Sequence, residues 1–167
     1  AYDHLGNVVE HVDFKGQVTQ YAYDSEGRQT EQRYYTSAAA AVANAPLYSV
    51  TVAYNASGQV DSVQDPRRGM THYEYDAIGR VTVIASPEGV VEYTYDPNTG
   101  APTTVKSDSS EMIYAYDDLG RLVSSAASMV NGQLLATPLT EGYAFGATGL
   151  PNAIHHPDGT ETTIEYD

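Results

Sequence analysis

Apolar and polar residues alternate over short stretches of the chain, and turn-forming residues separate these stretches. The stretch Val90-Val91-Glu92-Tyr93-Thr94-Tyr95 has the two-residue period of a half-buried β-strand, and residues 81–86 are rich in β-branched side chains. Ser86-Pro87-Glu88-Gly89 joins the two stretches with proline at the second turn position and glycine at the end, and His156-Pro157-Asp158-Gly159 has the same pattern. The pattern predicts an all-β chain of antiparallel hairpins.

A tyrosine-aspartate unit recurs where alternate predicted strands end. Its form YDxxG begins at Tyr2, Tyr23, Tyr75 and Tyr116; variants begin at Tyr54, Tyr95 and Phe145, and Tyr166-Asp167 opens another. Five of the seven spacings between first aromatic residues (2, 23, 54, 75, 95, 116, 145 and 166) are 20 or 21 residues. The chain is therefore predicted to be a single array, residues 1–167, of about seven repeats and about 14 strands, without a separate catalytic domain.

Two spacings are longer and place insertions at roughly 33–47 and 125–141. The first contains an alanine run that suggests a helical turn. The second contains Asn131-Gly132, the strongest short signal for a β-hairpin.

Each residue of the unit has an expected role. The aspartate accepts backbone N–H groups of the turn, and the glycine adopts positive φ. Tyrosines two positions apart, as in Tyr73 and Tyr75, lie on one face of a strand and form rows when repeats stack. The predicted structural residues are Tyr2, Asp3, Gly6, Tyr21, Tyr23, Asp24, Gly27, Arg28, Tyr54, Gly58, Tyr73, Tyr75, Asp76, Gly79, Arg80, Pro87, Gly89, Tyr93, Tyr95, Asp96, Gly100, Tyr114, Tyr116, Asp117, Gly120, Arg121, Pro157, Gly159, Tyr166 and Asp167.

On these residues the whole chain resembles the RHS repeat family, also called YD repeats, with Gly69 to Gly89 the best match. The resemblance implies a sheet that spirals into a hollow shell, as in Rhs polymorphic toxins, insecticidal toxin-complex cages, wall-associated proteins and teneurins. In the toxin members the shell encloses a C-terminal effector. Sheets of more than about 10 strands tend to curl, which agrees with a curved strip. The chain starts and stops inside the motif, so we expect a segment of a longer array.

Charge and composition narrow the function classes. The formal charge is −14 and only 8 residues are Lys or Arg, which argues against nucleic-acid binding. No apolar run suits a membrane span, and the first residues do not form a signal peptide. Cysteine chemistry is excluded because the chain has 0 Cys.

Catalytic and metal sites have weak support in the sequence. The chain has no GxSxG, phosphate-loop or HExxH motif. Asp96-Pro97-Asn98-Thr99-Gly100 only superficially resembles a calcium loop, and adjacent His155 and His156 would point to opposite faces of a strand. We expect no catalysis, no metal and no cofactor.

The sequence predicts a structural segment of a shell that encapsulates or scaffolds an effector, or forms a surface wall. The expected partners are the rest of the shell and an enclosed effector, with no membrane insertion, and the parent is expected to be a secreted or cell-surface protein, bacterial in origin. The alternative is a carbohydrate-binding or adhesion module that uses exposed tyrosine rows.

Overall fold

The protein is described by a computed structural model that covers residues 1–166. Its strands are β1 (Glu10–Val12), β2 (Val18–Tyr23), β3 (Gln29–Tyr35), β4 (Tyr48–Tyr54), β5 (Val60–Asp65), β6 (Gly69–Tyr75), β7 (Val81–Ser86), β8 (Gly89–Tyr95), β9 (Pro102–Ser107), β10 (Ser110–Tyr116), β11 (Leu122–Val130), β12 (Gln133–Phe145), β13 (Pro151–His155) and β14 (Glu161–Thr163). One short helix, α1 (Ala38–Val42), lies between β3 and β4. The predicted all-β class is confirmed.

The 14 strands form an antiparallel sheet in which the strand order follows the chain from β1 to β14. Every connection is therefore a hairpin, which requires only turns and not crossovers. By their internal contacts the residues group into two compact units, residues 1–80 with 84–88, and residues 81–83 with 89 onwards. We refer to them as the first and second units and describe each by itself.

Two kinds of connection alternate along the chain. The YD turns follow the even-numbered strands and contain the repeated motif. The return connections follow the odd-numbered strands and vary, from the two residues between β7 and β8 to the loop with α1 between β3 and β4. The Ser37 hydroxyl caps α1 by accepting the N–H of Ala40, so the predicted helical turn is confirmed.

Both units are single layers with little buried apolar volume. Among the residues that the structure describes, the buried apolar side chains are Val18 and Tyr35 in the first unit and Met129 and Ala153 in the second. Val18 and Tyr35 are cross-strand partners, and the Tyr35 hydroxyl bonds with the side chain of Asn44 beyond α1. The insertion thus helps to bury one local pair instead of building a second layer.

The strands alternate between half-buried and exposed side chains. In β6, Thr71, Tyr73 and Tyr75 are half-buried, whereas the residues between them, His72 and Glu74, are exposed. β8 repeats this pattern in the second unit. The paired tyrosines therefore lie on one face, and glutamates such as Glu74 lie on the other.

A bulge interrupts the pairing where five of the YD hairpins close. Ala22 pairs with Glu31 but the next residue, Tyr23, pairs with Gln29, so Thr30 is an extra residue. The same shift occurs before Tyr54, Tyr95, Tyr116 and Phe145. Such bulges reorient a side chain, and here they act on the motif aromatic residue.

Candidate functional site

The YD turn has a fixed backbone structure. In the turn after β2, the Asp24 N–H donates to the Arg28 carbonyl at 2.9 Å and the Gly27 N–H donates to the Asp24 carbonyl at 3.1 Å. Gly27 has a φ of 79°, which L side chains adopt only with strain. The turn glycines Gly6, Gly58, Gly79, Gly100, Gly120 and Gly149 also have positive φ.

The motif aspartate clamps its own turn. One carboxylate oxygen of Asp24 accepts the N–H groups of Glu26 and Arg28, both at 2.9 Å. The other oxygen accepts a hydrogen bond from Nε of Arg28 at 2.7 Å. Asp76 with Arg80 and Asp117 with Arg121 repeat these contacts, and Asp3 has Asn7 in place of the arginine.

These contacts favour the ionised carboxylate. Backbone donation from Arg28 is the main cause that lowers the pKa of Asp24, and the Arg28 side chain adds to it. The same two partners at Arg80 and Arg121 lower the pKa of Asp76 and Asp117. Both effects stabilise the charged form, so the clamp is complete at neutral pH.

Two variants show which part of the motif sets the turn. Asn55 accepts the N–H groups of Ser57 and Gln59 through its amide oxygen, as an aspartate would. Gly146 has no side chain to offer, yet its N–H still donates to the Leu150 carbonyl at 2.9 Å and it accepts the Gly149 N–H at 2.9 Å. The glycine and the backbone bonds therefore suffice for the turn, and the carboxylate reinforces it.

The motif tyrosine connects consecutive repeats. It is the last residue of its strand, and its hydroxyl donates to the carbonyl of the second residue after the turn glycine in the preceding repeat. The five bonds run from Tyr23 to Val8 (2.7 Å), Tyr54 to Gln29 (2.8 Å), Tyr75 to Val60 (2.7 Å), Tyr95 to Val81 (2.6 Å) and Tyr116 to Pro102 (3.0 Å).

The accepting carbonyls lie where strand pairing between repeats has ended. β3 begins at Gln29, but its pairing with β4 extends only as far as Glu31 opposite Thr51. The Tyr54 hydroxyl reaches the Gln29 carbonyl beyond that point. The tyrosine thus supplies a donor that the sheet itself does not provide.

The arginine after the turn glycine adds a second connection between repeats. The Arg28 guanidinium lies 4.5 Å from the ring centre of Tyr54, and that of Arg121 lies 4.3 Å from the ring centre of Phe145. Each arginine therefore holds its own aspartate and also covers the aromatic residue of the following repeat. These arginines were predicted as structural residues of the unit, but their contact with the aromatic ring of the following repeat was not.

The first tyrosines of the pairs, Tyr21, Tyr73, Tyr93 and Tyr114, are half-buried on the same face as the motif tyrosines. Tyr2 and Tyr166 are far more accessible, with 72% and 55% of their surface exposed. Asp167 lies outside the described residues. Of the predicted residues in the return connections, Pro87 and Gly89 are in the β7–β8 hairpin, and Pro157 and Gly159 are in the β13–β14 connection.

The turns at Pro87 and Pro157 both have proline in second place and a glycine with positive φ in fourth place, and they differ in the length of the loop. Ser86-Pro87-Glu88-Gly89 is a hairpin with two residues between its strands. At the second site the His156 N–H donates to the Thr160 carbonyl at 2.8 Å, and the His156 carbonyl accepts the Gly159 N–H at 3.0 Å, which is the backbone pattern of a YD turn. The wider loop of the second turn causes the difference.

Two residues in or beside the return connections were missed. Asp13 accepts the N–H groups of Lys15 and Gln17, both through one oxygen, exactly as a motif aspartate does. Gly69 lies so near Pro87 that an added Cβ would be 2.5 Å from the ring carbon Cγ. The spacing Asp13-Phe14-Lys15-Gly16 could have revealed the first, but the contact between Gly69 and Pro87 leaves no local sequence signal.

In the part of the chain that the structure describes, no group of three or more metal-ligating side chains occurs. His155 contacts Glu161 at 3.0 Å, and His156 contacts Glu141 at 3.7 Å, so the two histidines have separate partners. A cleft of about 400 Å³ lies beside the turns at Asp96 and Asp117 and is lined by residues of these turns and of β9 and β10. No described helix is long and apolar enough to cross a membrane.

Residues 48–167 match the family described as teneurin YD-shell. The chain belongs to the teneurin YD-shell family. Residues 2–38 match the RHS repeat, so the predicted family is confirmed over both parts of the chain, which is a YD-shell segment. No curated protein matches the YD-shell segment.

Solved structures share the fold of the YD-shell segment. A Photorhabdus luminescens Tc holotoxin pore matches 93% of it at 20% identity and a TM-score of 0.71. TcdB2-TccC3 without its hypervariable C-terminal region matches 98% at 19% identity and a TM-score of 0.76, and TcdB2-TccC3 matches 98% at 19% identity and 0.73. The segment spans only 9%, 9% and 10% of these chains. It is a structural repeat segment of the YD-shell type.

Proposed function

We propose that this YD-shell segment is part of a wall that encloses an effector polypeptide in a longer parent protein, and that it has no catalytic role. The row of tyrosine hydroxyl bonds carries the proposal. Each bond joins a repeat to the one before it, so the motif residues act to hold successive hairpins side by side. A wall needs this property, and a reaction centre does not.

The solved neighbours support the enclosed partner. One of them is named as lacking a hypervariable C-terminal region and another as a holotoxin pore, which fits a variable effector held by a constant shell. By the same analogy we place the parent protein outside the cell or at its surface. The further expected partner is the remainder of the repeat array.

Carbohydrate binding by the tyrosine rows is the weaker proposal. The hydroxyls of five motif tyrosines donate to carbonyl groups, and an arginine covers the ring of Tyr54. A sugar would have to compete with these contacts. Binding in a glycan array that is lost on replacing Tyr73 and Tyr93 by alanine would favour the alternative.

The test uses the full-length parent and limited proteolysis of its region after the repeat array. An enclosing wall predicts that this region resists protease until the wall is weakened. Gly79→Val and Gly120→Val should expose it, because each forces a β-branched side chain into positive φ, with φ values of 90° and 76° in the native turns. Glu74→Gln, on an exposed strand position, is the matched control. Cleavage of the region in the unmodified parent as fast as in the isolated effector would refute enclosure.

A further inference from the structure

The tip of the β11–β12 hairpin carries a chemically distinctive pair. Asn131 and Gly132 form the two-residue turn with φ values of 52° and 74°, as expected for an Asn-Gly hairpin turn. Both residues are exposed. Of the six asparagines in the sequence (7, 44, 55, 98, 131 and 152), Asn131 alone precedes a glycine.

The tip is docked on the neighbouring β9–β10 connection. The Gly132 N–H donates to the Ser109 carbonyl at 2.9 Å. Two residues before the turn, Met129 is only 9% exposed, and the Ser128 hydroxyl contacts the Glu111 carboxylate. Leu134 on the other side of the turn is 78% exposed and adds little burial. The docking therefore rests on the pairing of Val130 with Ser110 and of Met129 with Glu111 at the end of β11, together with the burial of Met129, the Ser128 contact and the Gly132 bond.

Asparagine followed by glycine can react with its own backbone. The Gly132 nitrogen attacks Cγ of Asn131, the N–Cγ bond forms, and the Cγ–Nδ2 bond breaks. The proton from the Gly132 nitrogen leaves with Nδ2 as ammonia, and water then opens the cyclic imide to aspartate or isoaspartate. The missing Cβ of glycine gives the attacking nitrogen its access, which Ala45 would hinder at Asn44.

We propose that Asn131 is a deamidation site whose reaction is controlled by docking of the hairpin tip. In the docked state the attacking nitrogen is held by the Ser109 carbonyl, so the tip must lift before the imide can form. Either product places a new carboxylate in the connection that contacts the 107–110 segment, where Asp108 is already negative. Isoaspartate also lengthens the backbone by one bond, which the two-residue turn does not accommodate. Deamidation would thus release the tip irreversibly.

The test follows deamidation of the purified chain in mildly alkaline buffer by peptide mapping and isoaspartate detection. The unmodified chain, a peptide of residues 125–138 and the Met129→Ser variant are compared. We expect slow reaction in the folded chain, and in Met129→Ser a rate at least about tenfold higher, the shift in local opening expected when a buried methionine is removed. Asn44, which also has positive φ, is the internal control.

The outcomes distinguish the existence of the deamidation site from the control of its reaction by docking. Absence of product in the peptide would overturn the site, and equal rates in the folded chain and the peptide would overturn control by docking. Ser128→Ala, which removes only the contact with Glu111, serves if Met129→Ser does not fold, and it should raise the rate more modestly. An unchanged rate in a folded Met129→Ser variant, or in Ser128→Ala if that variant does not fold, would also overturn control by docking. None of these results tests the proposed role of the chain as part of a wall.

Discussion

The YD turns and the return connections solve the same problem, reversal of a strand, in different ways. YD turns have a recurring backbone pattern and connect neighbouring repeats through a tyrosine hydroxyl and, at Arg28 and Arg121, through an arginine. Return connections range from two-residue hairpins to a loop with a helix. The difference indicates that contacts between repeats, and not strand reversal as such, restrict the sequence of a connection.

The largest expected effect tests whether the end of a return connection has a strict position of its own, at Gly69, the first residue of β6. In Gly69→Val, the valine would have to adopt the φ of 91° found at Gly69, and its Cβ would overlap with the ring of Pro87. We expect a loss of about 3 kcal/mol in the free energy of unfolding, from positive φ and overpacking together. Urea denaturation measures it. Gly159→Val, whose Cβ would meet nothing within 4 Å, is the matched control with the conformational cost alone.

The next effect tests the YD turn without any steric clash. Gly120 has a φ of 76° and open space around a built Cβ. Gly120→Val should cost about 1–2 kcal/mol in the free energy of unfolding. Glu74→Gln on an exposed strand position should change it by less than about 0.5 kcal/mol. Equal tolerance at the two positions would contradict the role of the turn glycine.

A third prediction concerns the links between repeats. Phe145 stands where other repeats have a tyrosine, so it cannot donate to the carbonyl of Leu122. Phe145→Tyr should raise the free energy of unfolding by about 1 kcal/mol, and Tyr54→Phe, which loses the bond to Gln29, should lower it by about the same amount. In thermal denaturation the two variants should shift the melting temperature in opposite directions. A loss in both variants would show that the hydroxyl contributes nothing at the missing position.

The smallest effect is the pH dependence of the aspartate clamp. The pKa of Asp76 is lowered in the folded state, chiefly by backbone donation from Arg80. Its contribution to stability is therefore complete above the ordinary carboxyl pKa of about 3.9 and is lost as the pH falls through the folded value. Acid titration followed by circular dichroism should show a shallower loss of folded protein in Asp76→Asn. The asparagine keeps a side-chain oxygen that accepts backbone N–H groups, as Asn55 does. An identical acid profile would argue against the clamp.

Much of the fold could be predicted because each repeat contains its own signals. The alternation in β8 and the spacing of the YD units predicted an all-β chain of about 14 strands, and Asn131-Gly132 predicted a hairpin, all of which the structure confirms. The loop length at His156 could not be predicted, because the Pro-x-Gly pattern suits two loop lengths that only strand pairing distinguishes.

The links between repeats could not be predicted in the same way. The partner of the Tyr54 hydroxyl depends on the bulge that reorients Tyr54 and on the end of the β3–β4 pairing, and neither feature has a local sequence signal. The position of Arg28 over Tyr54 has the same dependence. The division into a single array, and the structural roles of the motif residues as a set, stay predictions.

The tyrosine hydroxyl bonds have a consequence for how such a chain folds. Each bond reaches back only 14 to 25 residues, from one hairpin to the hairpin before it. Energetic coupling is therefore between nearest neighbours, so the array should behave as a one-dimensional cooperative chain in which structure can start at any hairpin and spread in both directions. Such a chain gains stability by an almost constant increment for every repeat that is added, and its folding rate should depend only weakly on its length.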